Sequence, residues 1–198
     1  MTFPLSVLPC RSALIAAVVA CTAAIASTPA MAQDAAAQGS EDNKPNTIQE
    51  VYKDWRVECA AAPAAQNQAQ RMFCRLSQEL YTGEPRRLVL RLTFQYGPSS
   101  KLYGTLLGPF GLALAEGVRY SVDDGDSWTS PFQTCVPQGC LSRFEVSDQR
   151  AAALRRGQKL AIHLQPFGNG KSLDVGLSLS GFTAGSARLQ KLTADYRG

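Results

Sequence analysis

Histidine is almost missing from this chain: His163 is the only one in 198 residues. A Ser-His-Asp relay would have to run through that single imidazole, which lies mid-strand without a Gly-x-Ser-x-Gly elbow beside it. A solvent-facing strand histidine is the simpler reading. No Cys-x-x-Cys pair is present, which removes the thioredoxin-type redox motif. No apolar run holds the roughly 20 residues that a bilayer span needs. An excess of one charge sign is lacking too. The 20 Lys and Arg against 16 Asp and Glu leave a net charge of +4, too weak a field to imply nucleic acid. There is no internal repeat, and no motif calls for a cofactor.

What is present begins with a processing segment over residues 1–32. Arg11 is the only charge before Asp34, and an Ala, Val, Ile and Leu-rich run follows it from Ser12 to Ile25. Thr28-Pro29-Ala30-Met31-Ala32 then places small residues one and three positions before a cut, as signal peptidase requires. Removing this segment takes away Arg11 and leaves a weakly basic chain. A rival site is Val18-Val19-Ala20-Cys21, which has the form of a lipobox. Cleavage there would leave an acylated Cys21 as a lipid anchor. Residues 33–49 carry no apolar period and read as a flexible tether, so the folded domain is expected over residues 50–198.

Within that domain, alternation by two dominates. Leu88, Leu90, Leu92, Phe94 and Tyr96 share one side of a strand, with Arg87, Val89, Arg91, Thr93 and Gln95 on the other. Similar stripes run through Leu173-Val175-Leu177-Leu179, Val118-Tyr120-Val122, Leu160-Ile162-Leu164, Met72-Cys74-Leu76 and the short Trp55 to Cys59 stretch. Tyr81 to Pro85, Asp123-Asp124-Gly125-Asp126 and Phe167 to Lys171 are turn sequences. Ser147 is placed as an N-cap for a helix ending at Gly157, and a second helix is expected over Thr183–Leu192. The fold class is therefore mainly β: an antiparallel sandwich or partly closed barrel with two short helices, tied by disulfides.

Of the six cysteines, Cys10 leaves with the signal and Cys21 survives only in a lipoprotein. Cys59, Cys74, Cys135 and Cys140 remain, and four cysteines allow three pairings. The local pairing, Cys59 with Cys74 and Cys135 with Cys140, is preferred, because it closes an irregular loop and a tight turn. Such bridges contribute about 3 and about 2 kcal/mol by loop entropy and require an oxidising compartment. A zinc site is the weaker alternative, since its cysteines are usually closer in sequence. Asp123, Asp124 and Asp126 lack the order of a calcium loop, so no metal is expected. Arg75, Arg87 and Arg91 form the candidate anion-binding surface. If the hairpin sets Glu79 opposite Arg87, Arg75 falls opposite Arg91, an unfavourable contact that an anion would relieve. The plainer reading is a solvated basic face.

Five segments then matter together. They are Asp54-Trp55-Arg56-Val57-Glu58-Cys59, Phe73-Cys74-Arg75-Leu76-Ser77-Gln78, Gly108-Pro109-Phe110-Gly111-Leu112 with Glu116-Gly117-Val118, Phe132-Gln133-Thr134-Cys135 with Gly139-Cys140, and Leu177 to Ala184. In this order, across about residues 50 to 192, they resemble the invasion-associated locus B family of exported Gram-negative bacterial proteins. Two departures are the serine before Gly181 and the phenylalanine inside Gly108-Pro109-Phe110-Gly111. The resemblance implies a periplasmic or surface-exposed protein, in a family named for a link to host-cell invasion. It brings no established enzyme chemistry. The expectation is thus an exported, non-catalytic binding protein whose partner is a protein or an anionic envelope component. A chaperone-like factor working through a β edge is the alternative, and a hydrolase comes third. Intact-mass measurement of the exported protein should give a chain starting at Gln33, lighter by two hydrogens for each bridge. A mass starting at an acylated Cys21 would instead establish the lipoprotein.

Overall fold

The alternation from Arg87 to Tyr96 forms one strand of a seven-stranded antiparallel sheet in this computed structural model, which describes residues 47–62, 71–97, 99–168 and 170–196. The export segment, the lipobox and most of the tether lie outside those residues. In chain order the elements are β1 (Thr47–Tyr52), β2 (Trp55–Ala61), β3 (Met72–Thr82), β4 (Arg87–Tyr96) and β5 (Leu102–Gly108). They continue with a 3-10 turn at Leu114–Glu116, then β6 (Val118–Val122), β7 (Ser127–Ser130), β8 (Phe132–Val136) and β9 (Gly139–Glu145). Helix α1 (Asp148–Arg156), β10 (Lys159–Leu164), β11 (Leu173–Ser178) and α2 (Phe182–Asp195) complete the fold. The larger sheet has the order β1-β2-β3-β4-β5-β9-β8, and a four-stranded sheet has the order β11-β10-β6-β7. Both are open and antiparallel, which resolves the sandwich from the barrel.

The stripes read from the sequence point inward and their side chains belong to one core, except Leu88, which lies beyond an irregularity at Val89 and outside the core. A run of aromatic rings crosses it. Phe182 of α2 lies 5.2 Å from Trp55 of β2 and 5.1 Å from Phe94 of β4, ring centre to ring centre. Phe94 meets Phe144 of β9 at 6.4 Å, Phe144 meets Tyr120 of β6 at 4.8 Å, and Tyr120 stacks on Trp128 of β7 at 5.3 Å. Edge-on and offset ring pairs add about 0.5–1.5 kcal/mol each beyond their burial. The indole nitrogen of Trp55 donates to the Ser178 carbonyl at 3.0 Å, a direct hydrogen bond between the two sheets. Gly104 of β5 leaves room for this packing, because a Cβ there would stand 2.4 Å from the Phe144 ring.

Helix α2 covers the β1–β4 part of the large sheet with Phe182, Leu189 and Leu192. Its start depends on Gly181, whose φ of +91° and 1.9 Å Cβ approach to the Tyr52 carbonyl oxygen exclude a side chain. Helix α1 begins as expected, with the Ser147 hydroxyl accepting from the Arg150 amide at 3.3 Å. Both disulfides join directly opposed strand residues: Cys59 to Cys74 across β2 and β3, and Cys135 to Cys140 across β8 and β9. This is the local arrangement of the three possible.

One boundary needs correction. The tether was expected to reach residue 49, yet Thr47–Gln49 pair with β2 as the start of β1. The strand is an edge strand with half its residues exposed, so its polar sequence shows no apolar stripe, and backbone pairing carries it instead. Its end is fastened to α2. The Glu50 carboxylate accepts from Arg188 Nη2 at 2.6 Å and Nε at 2.9 Å, and from the Tyr52 hydroxyl at 2.6 Å. The bonds from Arg188 first, then Tyr52, hold the Glu50 carboxyl below its ordinary value of 4.5. A group with a lowered folded pKa contributes stability that is fully present above the unfolded value and lost as pH falls through the folded one. Glu50→Gln should therefore lower the urea midpoint at pH 7. The gap to wild type should close as pH falls below about 4.5, and a gap constant from pH 7 to 3 would refute the clasp.

Candidate binding surface

The outer face of the large sheet holds the arginines singled out from the sequence. Their setting differs from the expected one. The hairpin between β3 and β4 shifts register at Leu80 and Tyr81, leaving Val89 as an extra residue in β4. Glu79 consequently faces Arg91, and Arg87 faces Thr82. Arg75 lies opposite Glu58 of β2 and donates to it at 2.8 Å, while Arg91 forms an ion pair with Glu79. The Tyr81 hydroxyl also donates to Glu79 at 2.6 Å, and these bonds, Tyr81 first, hold that carboxyl below its ordinary range. Arginine and glutamate thus alternate along the face. The opposed like charges that motivated an anion site at Arg75, Arg87 and Arg91 do not arise.

The aspartate turn has a structural task. Asp123 accepts from the Lys159 amide at 2.9 Å and the Gln158 amide at 3.2 Å, fixing the exit from α1. Among the described residues no group of three or more His, Cys, Asp or Glu side chains is placed to hold a metal.

His163 projects from the outer face of the small sheet, as the alternation required, and it has a partner. Its Nδ1 lies 2.6 Å from Oδ1 of Asp174, directly opposite on β11. The Ser172 hydroxyl donates to Oδ2 of the same carboxylate at 3.0 Å. These bonds, His163 first, hold the Asp174 carboxyl low. The serine therefore binds the acid and not the imidazole, the reverse of the order in a nucleophilic relay.

Register extends this pair into a row. Thr129, Arg119, His163 and Asp174 stand side by side across β7, β6, β10 and β11. Along the row, at one end of the small sheet, opens a cleft of about 260 Å³ whose lining includes Glu116, Arg119, Thr129, His163, Gln165 and Ser172. Two loops rise at this end, residues 109–117 before β6 and residues 165–168 with 170–172 after β10. The Phe167 amide donates to the Gly111 carbonyl and the Ala113 amide to the Gln165 carbonyl, both at 2.8 Å. Leu112, 8% exposed, anchors the bridge from within. Above it stand Phe110 at 59%, Leu114 at 44% and Phe167 at 82% exposure. Each phenylalanine precedes a glycine in the left-handed region, Gly111 at φ +80° and Gly168 at +85°. Sequence reading treated both segments as turn or family features. The available signal was the Phe-Gly step itself, a large apolar side chain where turn residues are normally small or polar.

The family model described as invasion associated locus B (IalB) protein matches residues 55–190, spanning both sheets, both disulfides and the bridged loops. The chain belongs to the IalB family. Similar IalB-related proteins include an invasion protein B homolog of Brucella abortus, 33% identical over 148 residues, which make up 75% of this chain and 82% of that one. Invasion protein B of Bartonella bacilliformis is 29% identical over 153 residues, 76% of this chain and 78% of that one. In fold, the chain matches the crystal structure of invasion associated protein b from Bartonella henselae. The TM-score is 0.64 at 24% identity, over 75% of this chain and 98% of the other.

The register of the charged face can be checked by a swap. Arg91→Glu should destabilise the IalB fold by about 0.5–1 kcal/mol in urea unfolding, through its opposition to Glu79. Adding Glu79→Arg should recover most of that loss. Absence of any recovery would contradict the observed pairing.

Proposed function

We propose that this IalB-family chain is an exported, non-catalytic binding protein of the cell envelope or cell surface, docking through the end of the sandwich that carries Phe110 and Phe167. The observation behind this is the bridged loop pair. Large apolar side chains exposed at 59% and 82% stand on loops fixed by backbone hydrogen bonds and a buried leucine. Burying them in a partner gains roughly 25 cal/mol per Å² of apolar surface, and little ordering cost remains to offset that gain.

Export is supported by the signal pattern before residue 33 and by two disulfides. Among the described residues no helix is long and apolar enough to cross a membrane. The non-catalytic part of the reading is supported by the hydrogen bond of Ser172 to Asp174, which gives the His163 pair an oriented imidazole without an attached nucleophile. The names of the relatives connect them with invasion, and host-cell contact by this chain is part of the same proposal.

A second reading has one observation of its own. Strand β1 is a six-residue edge strand with neither lysine nor proline, and its Val51 is 68% exposed. That is the type of edge a client strand can extend. Photo-cross-linkers at positions 110, 167 and 51, followed by mass spectrometry in intact cells, distinguish the two. Capture of one partner from 110 and 167, and not from 51, is the expected result. Capture from 51 alone would replace loop docking by the edge reading, and failure at all three positions would remove the binding reading.

A further inference from the structure

The cleft under the phenylalanine loops has a chemistry of its own. Arg119 and Glu116 both line it, and neither side chain makes a hydrogen bond or ion pair with another described residue. His163 has its Nδ1 committed to Asp174, which orients the ring and leaves Nε2 for another partner. Gln165 spends its amide nitrogen on the Gly170 carbonyl at 3.3 Å, so its side-chain oxygen stays available as an acceptor. The Thr129 hydroxyl stands next to Arg119 in the row. Thr129, Arg119 and His163 thus stand in a row at the interstrand distance of about 4.8 Å, with Glu116 and Gln165 beside it at the ends of the strands.

We propose that this cleft binds a carboxylate-bearing glycan, laid along the Thr129–Arg119–His163 row with the rim at Phe167. This rests on the binding reading above and names a ligand class for the same end of the molecule. A row of mixed hydrogen-bonding groups at strand spacing suits an extended polyhydroxylated chain. The Arg119 guanidinium acts on Asp174 only through space, so its N–H donors are free to take a carboxylate in two parallel hydrogen bonds, and Glu116 and Gln165 accept from sugar hydroxyls. Phe167, two residues beyond Gln165 and 82% exposed, offers an aromatic face for the C–H side of a sugar ring. Other occupants fit less well. A small zwitterion would reach Arg119 and Glu116 and leave the Thr129, His163 and Gln165 groups of the lining unused. An acyl chain finds no apolar wall among these side chains. Nucleic acid wants clustered cations, and here a single arginine stands beside a glutamate.

Isothermal titration of the mature protein with uronic-acid, sialylated and lactyl-bearing oligosaccharides, each beside its methyl ester, tests the assignment. At least one free acid should bind, ten-fold or more tighter than its ester. Arg119→Ala should abolish that preference, Arg119→Lys should restore part of it, and Phe167→Ala should weaken the acid and the ester alike. Unchanged urea midpoints establish that these variants fold. Binding of none of the three acids, equal affinity for acid and ester, or an unaffected Arg119→Ala protein would overturn the glycan. So would competition by single-stranded DNA at the same variants. If no glycan binds while cross-linkers at 110 and 167 still capture a protein, the ligand class fails and loop docking survives. If both come up empty, both fall.

Discussion

The aromatic file from Phe182 to Trp128 is the contact on which the rest of the structure depends. Six rings in sequence join α2, β2, β4, β9, β6 and β7, elements drawn from both sheets and from the chain's last helix. Near in sequence, the small sheet is tied to the large one through Ser130 of β7, whose hydroxyl donates to the Arg143 carbonyl of β9 at 2.9 Å; the Trp55 to Ser178 tie is long-range. The chain leaves the large sheet after β5, makes β6 and β7, and returns for β8 and β9 before finishing the small sheet. Such an order has many long-range pairings, and loop-closure entropy opposes each of them. Ring packing and the Trp55 to Ser178 hydrogen bond supply the common centre that offsets this cost. The disulfides act elsewhere, on neighbouring strands that already pair.

Once the centre is in place, the two outer faces are free to diverge. That of the large sheet pairs most of its charges, with Glu58 against Arg75 and Glu79 against Arg91, while Arg87 faces Thr82. Such exposed pairs contribute little stability, but they leave a solvated surface without a strong field. The small sheet keeps Arg119 and Glu116 in one cleft without a side-chain hydrogen bond or contact ion pair, beside loops that hold their phenylalanines in water. Paired carboxylates on one side and a cleft with uncommitted hydrogen-bonding groups on the other set the two faces apart. This contrast is the physical ground for proposing a binding site at that end.

How much of this was legible in the sequence follows from burial. Strands with one buried face, such as Leu88 to Tyr96 and Leu160 to Leu164, show their alternation directly, and the Ser147 cap and the turn at Asp123 can be read from residue chemistry. Strands at the margin hide. β1 and β8 are half-exposed edges with polar residues, and β5 places Gly104 and Gly108 where a stripe would show large side chains. The hairpin register was missed because one extra residue, Val89, shifts every pairing beyond it. The cleft was invisible for a different reason. Its residues come from three separated segments, 116–129, 163–165 and 172, which meet only through the sheet order. The opposition of His163 and Asp174 was within reach, since the turn at 167–171 already implied a hairpin with both residues outward.

Gly104 carries one more consequence. Its missing side chain is filled by the Phe144 ring, so these two positions on paired strands share one volume. Neither can drift alone: a methyl at 104 collides with the ring, and a smaller residue at 144 leaves a hole in the aromatic file. Among descendants of this sequence the pair should change together or not at all. That would make it a two-letter signature of the fold, more informative about its ancestry than either residue alone.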